Sequence, residues 1–139
     1  MRRLISQFLA PRPREDFMAD VNYTISGTVN KGPLQETFVA SGVTSNMSVS
    51  GLYAVTLQLG TAVTQVSTAS LSSVGLCIAQ SLATTTTHTV AFGRYVGGTL
   101  HESVSLRAGE SAVFRMAAGE YAAKAAVEGS RMIVTIYEG

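Results

Sequence analysis

The sequence predicts an all-β protein, a jelly-roll-like or other Greek-key β-sandwich over residues 20–139 behind an extended arm over residues 1–19. Three observations point there. Short runs of alternating apolar and polar residues recur along the chain, which is the period of a strand covered on one face. Gly, Asn and Pro clusters separate these runs at intervals of about 8–12 residues, the spacing seen in sandwiches and barrels. No helical periodicity lasts the length of an ordinary helix, and the polar residues are chiefly 15 Ser and 15 Thr. Thr, branched at Cβ, is restricted in a helix and packs well on a pleated sheet.

Val21, Tyr23 and Ile25 alternate with Asn22, Thr24 and Ser26 in a first strand, and Asn30-Lys31-Gly32-Pro33 supplies the turn after it. A second strand is expected over 34–41 with Phe38 and Val39. A third covers 43–50, with Val43, Met47 and Val49 on one parity, and Gly51 breaks it. Val55, Leu57 and Leu59 share one side of 52–59; 62–68 continues more weakly, and 70–73 reads as a loop. The most apolar run, 74–79, is short and contains Gly75, which favours a central strand over a short helix. The tract 84–87, four threonines, is an uncharged edge or loop.

In 88–96, Val90, Phe92 and Arg94 share a face, and Gly97-Gly98 makes the turn. The alternation of Leu100, Glu102, Val104 and Leu106 places all four on one side of the next strand. Ala-Gly-Glu occurs twice, at 108–110 and 118–120, each time before a short strand, over 111–116 and 121–126. The alanine-rich 117–127 has the composition for one helical turn or two, but Gly119 and Gly129 bracket it closely. Glu128-Gly129-Ser130 leads into the closing strand, 131–137. The expected total is nine or ten strands.

A length of 139 residues holds one domain with an ordinary core. Hydrophobic residues make up 46% and charged residues only 14%, against about 25% usually, the reverse of a disordered composition. A solvent face kept by Ser and Thr does not repel copies of itself, which is useful in a packed array. The net charge of +1 gives no strong pull toward nucleic acid. No stretch approaches the ~18 apolar residues of a membrane span.

The charge is uneven. Residues 1–17 carry Arg2, Arg3, Arg12 and Arg14 against Glu15 and Asp16, a net of +2, while 18–139 carry six basic and seven acidic residues, a net of −1. The apolar stretch from Leu4 to Ala10 is interrupted by Ser6 and Gln7, too short and too polar for the core of a signal peptide. Pro11 and Pro13 bias their neighbours to extended shapes. A proline-broken segment with little core of its own orders by lying on another surface. As an arm it would bind a partner through Arg2, Arg3, Leu4, Ile5, Phe8, Leu9, Arg12 and Arg14. The alternative is that Met18-Ala19-Asp20 is the natural bacterial start and 1–17 an upstream extension.

Candidate chemistry finds little support. His88 and His101 lie thirteen residues apart, and neither has the histidine two positions away that a cupin-type metal site needs. His101 and Glu102 are strand neighbours and point to opposite faces. Cys77, the single cysteine, lies in the apolar run 74–79 and is expected as a buried small hydrophobe, without the electropositive setting of a reactive thiolate. One cysteine excludes an intrachain disulfide, which fits assembly in a reducing cytoplasm.

Phosphate-loop, serine-elbow and dinucleotide fingerprints are missing from the sequence. Glu36, Glu102, Glu110, Glu120, Glu128 and Glu138 are read as solvated residues at turns and ends, which argues against a paired-carboxylate glycosidase. The chain has no Trp, and Tyr53, Tyr121 and Tyr137 fall in strand patterns, leaving little for stacking sugars. No catalytic residue, metal or cofactor is expected, and the chain is not expected to be an enzyme.

The run Val90-Ala91-Phe92-Gly93-Arg94-Tyr95-Val96-Gly97-Gly98-Thr99-Leu100 is followed by Leu106-Arg107-Ala108-Gly109-Glu110-Ser111-Ala112-Val113-Phe114-Arg115-Met116. Then come Tyr121-Ala122-Ala123-Lys124-Ala125 and Met132-Ile133-Val134-Thr135-Ile136-Tyr137-Glu138. This succession resembles the small virion structural proteins of tailed bacteriophages, the head decoration or cement proteins. Those share a strand, an Ala-Gly-Glu turn, a Phe-Arg strand, a Tyr-Ala-Lys-Ala segment and an apolar last strand. The resemblance covers about the last 50 residues.

What the resemblance implies is a β-sandwich that binds the outer head surface in many copies, stabilises subunit junctions and has no catalytic residue. The implied partners are the major capsid protein or other virion proteins, and copies of the chain itself in a homo-oligomer, with neither nucleic acid nor membrane. The implied location is the virion, assembled in the bacterial host cytoplasm. Alternatives are a tail, neck or adaptor component of the virion, or a host-surface-binding fibre module. Strand edges and the arm are the expected contact elements.

Overall fold

Alternating apolar residues make strands wherever a covering surface exists, and a computed structural model of the chain contains ten of them among the residues it describes, 20–47 and 49–139. There is no helix among the described residues. β1 (Val21–Lys31) and β2 (Leu34–Ser45) form an antiparallel ribbon by themselves. The second expected strand therefore runs on through the start of the third as far as Ser45, while Met47 and Val49, expected in the third, lie outside any strand. Gly42 does not break the chain direction. Tyr23 pairs with Val43 and Ile25 with Ala40, so Ser41 and Gly42 together oppose Thr24, and Gly42 has φ 65°. That is a β-bulge with glycine in the left-handed region, where a Cβ would be disfavoured.

The other eight strands are β3 (Leu52–Leu59), β4 (Thr64–Val66), β5 (Leu76–Ser81), β6 (Thr89–Val96), β7 (Thr99–Arg107), β8 (Ser111–Arg115), β9 (Tyr121–Ala125) and β10 (Ser130–Tyr137). They divide into two four-stranded antiparallel sheets, ordered β3-β10-β5-β8 and β4-β9-β6-β7. Only the β6–β7 hairpin stays within one sheet. Every other connection from β3 onward carries the chain across, and both Ala-Gly-Glu turns are such crossings. The pairings nest: β6 with β7, β5 with β8, β4 with β9 and β3 with β10.

One buried cluster draws on both sheets. It joins Met132, Val134 and Ile136 of β10 and Cys77 and Ala79 of the adjacent β5 with Val90 and Phe92 of β6 and Ala123 and Ala125 of the adjacent β9. Phe92 is fully buried, its ring stacked on Tyr121 at 5.5 Å between centroids and tilted against Phe114 at 5.8 Å. The alanine-rich stretch forms a strand rather than a helical turn because Ala123 pairs across from Phe92. A small side chain there leaves room for the ring, so packing overrides alanine's helix preference.

Two further sequence expectations are corrected. Leu100, Glu102, Val104 and Leu106 do not share a face. Phe92 pairs with Val104 but Gly93 with Glu102, so Ser103 is an extra residue and the parity of β7 reverses there. Val104 and Leu106 face the core, while Glu102 stands on the outer face and ion-pairs with Lys124 at 2.9 Å.

The second correction is Glu138, which is not a solvated terminal residue but is buried. Its carboxylate accepts hydrogen bonds from the Ser72 hydroxyl at 2.7 Å and from the Ser72 backbone N–H. Those bonds hold its pKa below the ordinary carboxylate range, against the opposing effect of burial. A folded-state pKa below the unfolded one stabilises the fold above the ordinary carboxylate range, and the contribution is lost as pH falls through the folded value. Glu138→Gln is expected to lower the melting temperature at neutral pH and to flatten the acid side of the stability curve. Thermal melts of both chains across the carboxylate range check this, and superimposable curves would refute it.

Candidate interaction surface

The ribbon is set apart from the body. Neither β1 nor β2 packs along a strand of the two four-stranded sheets. At its base the Asp20 carboxylate accepts from the Met47 backbone N–H at 2.7 Å, and the Arg115 guanidinium donates to the Ser45 hydroxyl at 2.7 Å. Val21 and Tyr23 there are half-buried, but beyond them the side chains are largely exposed.

The ladder sorts its residues by face. Residues paired across an antiparallel ladder lie on the same side, and successive residues alternate. Val21, Tyr23, Ile25, Gly27 and Val29 of β1 share a side with Val43, Ala40, Phe38 and Leu34 of β2, and Lys31, Glu36 and Ser45 lie on that side at its ends. The opposite side carries Asn22, Ser26, Thr28 and Asn30 with Thr44, Thr37 and Gln35, joined by Val39. The ribbon is thus amphipathic, and its apolar side stands in solvent: Leu34 is 54% exposed and Phe38 50%. Phe38 lies over Gly27, where any side chain would meet its ring.

The body has a second feature of this kind. β3 is a margin of its sheet and has no charged residue in eight, whereas the margin β7 carries His101, Glu102 and Arg107. Charge on an edge discourages further pairing, and an uncharged edge leaves it open.

The side chains weighed for chemistry stay apart. Cys77 is fully buried, and burial pushes its thiol from 9.0 up to about 12, which keeps it protonated and inert. His101 is exposed and pairs across the ladder from Arg94, while His88 lies in the turn before β6. No three His, Cys, Asp or Glu side chains gather to hold a metal among the described residues. A depression of about 300 Å³ on the body lies beside the Glu102–Lys124 pair and is lined by Thr61, Thr89 and Ser105. No helix among the described residues is long and apolar enough to cross a membrane.

Of the residues expected to bind a partner, Arg2, Arg3, Leu4, Ile5, Phe8, Leu9, Arg12 and Arg14 lie outside the described residues, as does the proposed boundary of the arm at residue 19. Sequence reasoning named strand edges in general but missed the ribbon. The signal was present in the parity of Ile25, Val29, Leu34 and Phe38 about the Gly32-Pro33 turn. A scan against protein-family models found no match. Neither curated proteins nor solved structures gave a match.

Proposed function

We propose that the chain is a structural protein of a tailed-phage particle, a decoration or cement protein that lies on the outer head and stabilises subunit junctions. The observation that carries this proposal is the β1–β2 ribbon. Long two-stranded ribbons are marginal in water on their own, and an exposed contiguous apolar face marks a surface made to be covered. A body with little charge suits dense packing of copies. The nested pairing of β3 to β10 in two four-stranded sheets supports a jelly-roll sandwich, an architecture used for viral coats. Fold alone does not assign function, so the ribbon and the composition bear most of the weight. Residues 1–19, with their four arginines, serve in this proposal as a tether onto a neighbouring subunit.

The test is quantitative mass spectrometry of purified particles made with this gene. A copy number comparable with that of the major capsid subunit supports a decoration protein. A few copies per particle would favour a tail, neck or adaptor component, and absence from particles would overturn the virion assignment in favour of a host-surface-binding module.

A further inference from the structure

We propose that the apolar side of the β1–β2 ribbon is an interface between copies of this chain. This rests on reading the chain as an assembly module and names one partner for it, a second copy.

Charge selects that partner. Lys31 and Glu36 are the only charged residues in β1 and β2, and the register puts both on the apolar side near the turn: Lys31 pairs with Leu34 and Glu36 with Val29. They do not pair with each other, since the ion pair among the described residues is Glu102–Lys124. A contacting surface charged uniformly in either sign would set one of the two against a like charge. A second copy carries one of each sign on the same patch and is complementary to the first.

The register also gives the arrangement. A two-fold axis along the ribbon lays β1 of one copy over β2 of the other. Each Lys31 then faces the other copy's Leu34 and stands one pleat from the other copy's Glu36, which makes two equivalent ion pairs at the tips. The ladder partners Ile25 and Ala40 are unequal in size, so the same rotation sets large against small at that position. This is the residue-to-residue exchange of an isologous contact.

The eleven residues of β1 span roughly 37 Å at about 3.4 Å each. One face therefore covers roughly 400 Å², about half of what each partner gives to a stable interface of standard size. The contact alone is weak and concentration-dependent, and strengthens when copies are already held on an array.

The experiment is sedimentation of the full chain over a wide concentration range, with thermal melts as a check on folding. Reversible association is expected for the wild type, and its loss for Phe38→Asp, with the melting transition of the body retained. Lys31→Glu alone and Glu36→Lys alone are expected to weaken association about tenfold, and the double exchange Lys31→Glu with Glu36→Lys to restore it. A wild-type chain that stays monomeric throughout overturns the proposal, whether residues 1–19 or another protein covers the face. An oligomer indifferent to Phe38→Asp also overturns it, and failure of the double exchange to rescue overturns the two-fold arrangement. These outcomes are separate from the particle count, because a chain absent from particles can still self-associate.

Discussion

Phe92→Ala is expected to lower the stability of the body by about 3–5 kcal/mol, the range for truncating a fully buried aromatic ring. Phe92 has no exposed surface and touches rings from both sheets, Tyr121 of β9 and Phe114 of β8. Its ladder partners cannot expand to fill the space, because Ala123 lies across from it on one side and Val104 on the other. The cavity would open where the two sheets meet. Domains of this size are stable by about 5–15 kcal/mol, so the variant should fold with little to spare. Urea unfolding reads the effect as a lower midpoint with an unchanged slope. A loss under about 1 kcal/mol would mean that the sheets are not joined through this ring.

The second large effect is expected at Gly93. A Cβ at this position would sit 2.0 Å from the His101 carbonyl oxygen and 2.7 Å from the Ser103 nitrogen. Both are backbone atoms, so no side-chain rotation relieves the clash. Gly93 lies at the step where Ser103 is inserted into β7, and the strands close tightly there. Gly93→Val must push β7 away from β6 and should cost about 3 kcal/mol or more. Hydrogen exchange checks it: amides of β7 should lose protection first, while those of β5 and β10 follow only with global unfolding. Protection in β7 unchanged from wild type would rule out the bulge as described.

Much of the body was legible from parity and turn chemistry. Gly97-Gly98, with φ of 58° and 84°, turns the β6–β7 hairpin as glycine pairs do. Val90 and Phe92, and Met132, Val134 and Ile136, are inward as their alternation implies. The two Ala-Gly-Glu turns were visible as turns but not as different structures. In the first, the Glu110 carboxylate accepts from the Arg107 backbone N–H at 2.7 Å. In the second, the Arg94 guanidinium donates to the Ala118 carbonyl at 2.5 Å and the Tyr121 hydroxyl to the Ala117 carbonyl at 2.7 Å. Those partners come from tertiary structure, which a tripeptide does not encode.

The misses share one physical cause. Ser103 and Gly42 each insert a residue opposite an unbroken partner strand, and an insertion is invisible until the partner is known. The burial of Glu138 is hidden in the sequence because Ser72, its hydrogen-bonding partner, is distant along the chain. The ribbon is the instructive case. The alternation of Val21, Tyr23 and Ile25 marks an amphipathic strand, but a period of two reports that one side prefers cover, not that this chain provides any.

The nested pairing has a consequence for the order in which the protein can be completed during synthesis. β10 is the last of the described strands and an interior one, bonded to β3 on one side and β5 on the other. Until it emerges from the ribosome, β3 has no ladder partner and Val55, Leu57 and Leu59 have no sheet to belong to. Closure of the body therefore waits on contacts between distant parts of the chain, the slow kind to form. The ladder of the ribbon needs no later strand, since all its pairs lie between 21 and 45, and only the Arg115 bond to Ser45 at its base is added afterwards. β1 and β2 are thus the first of the ten strands to have their ladder partners in place.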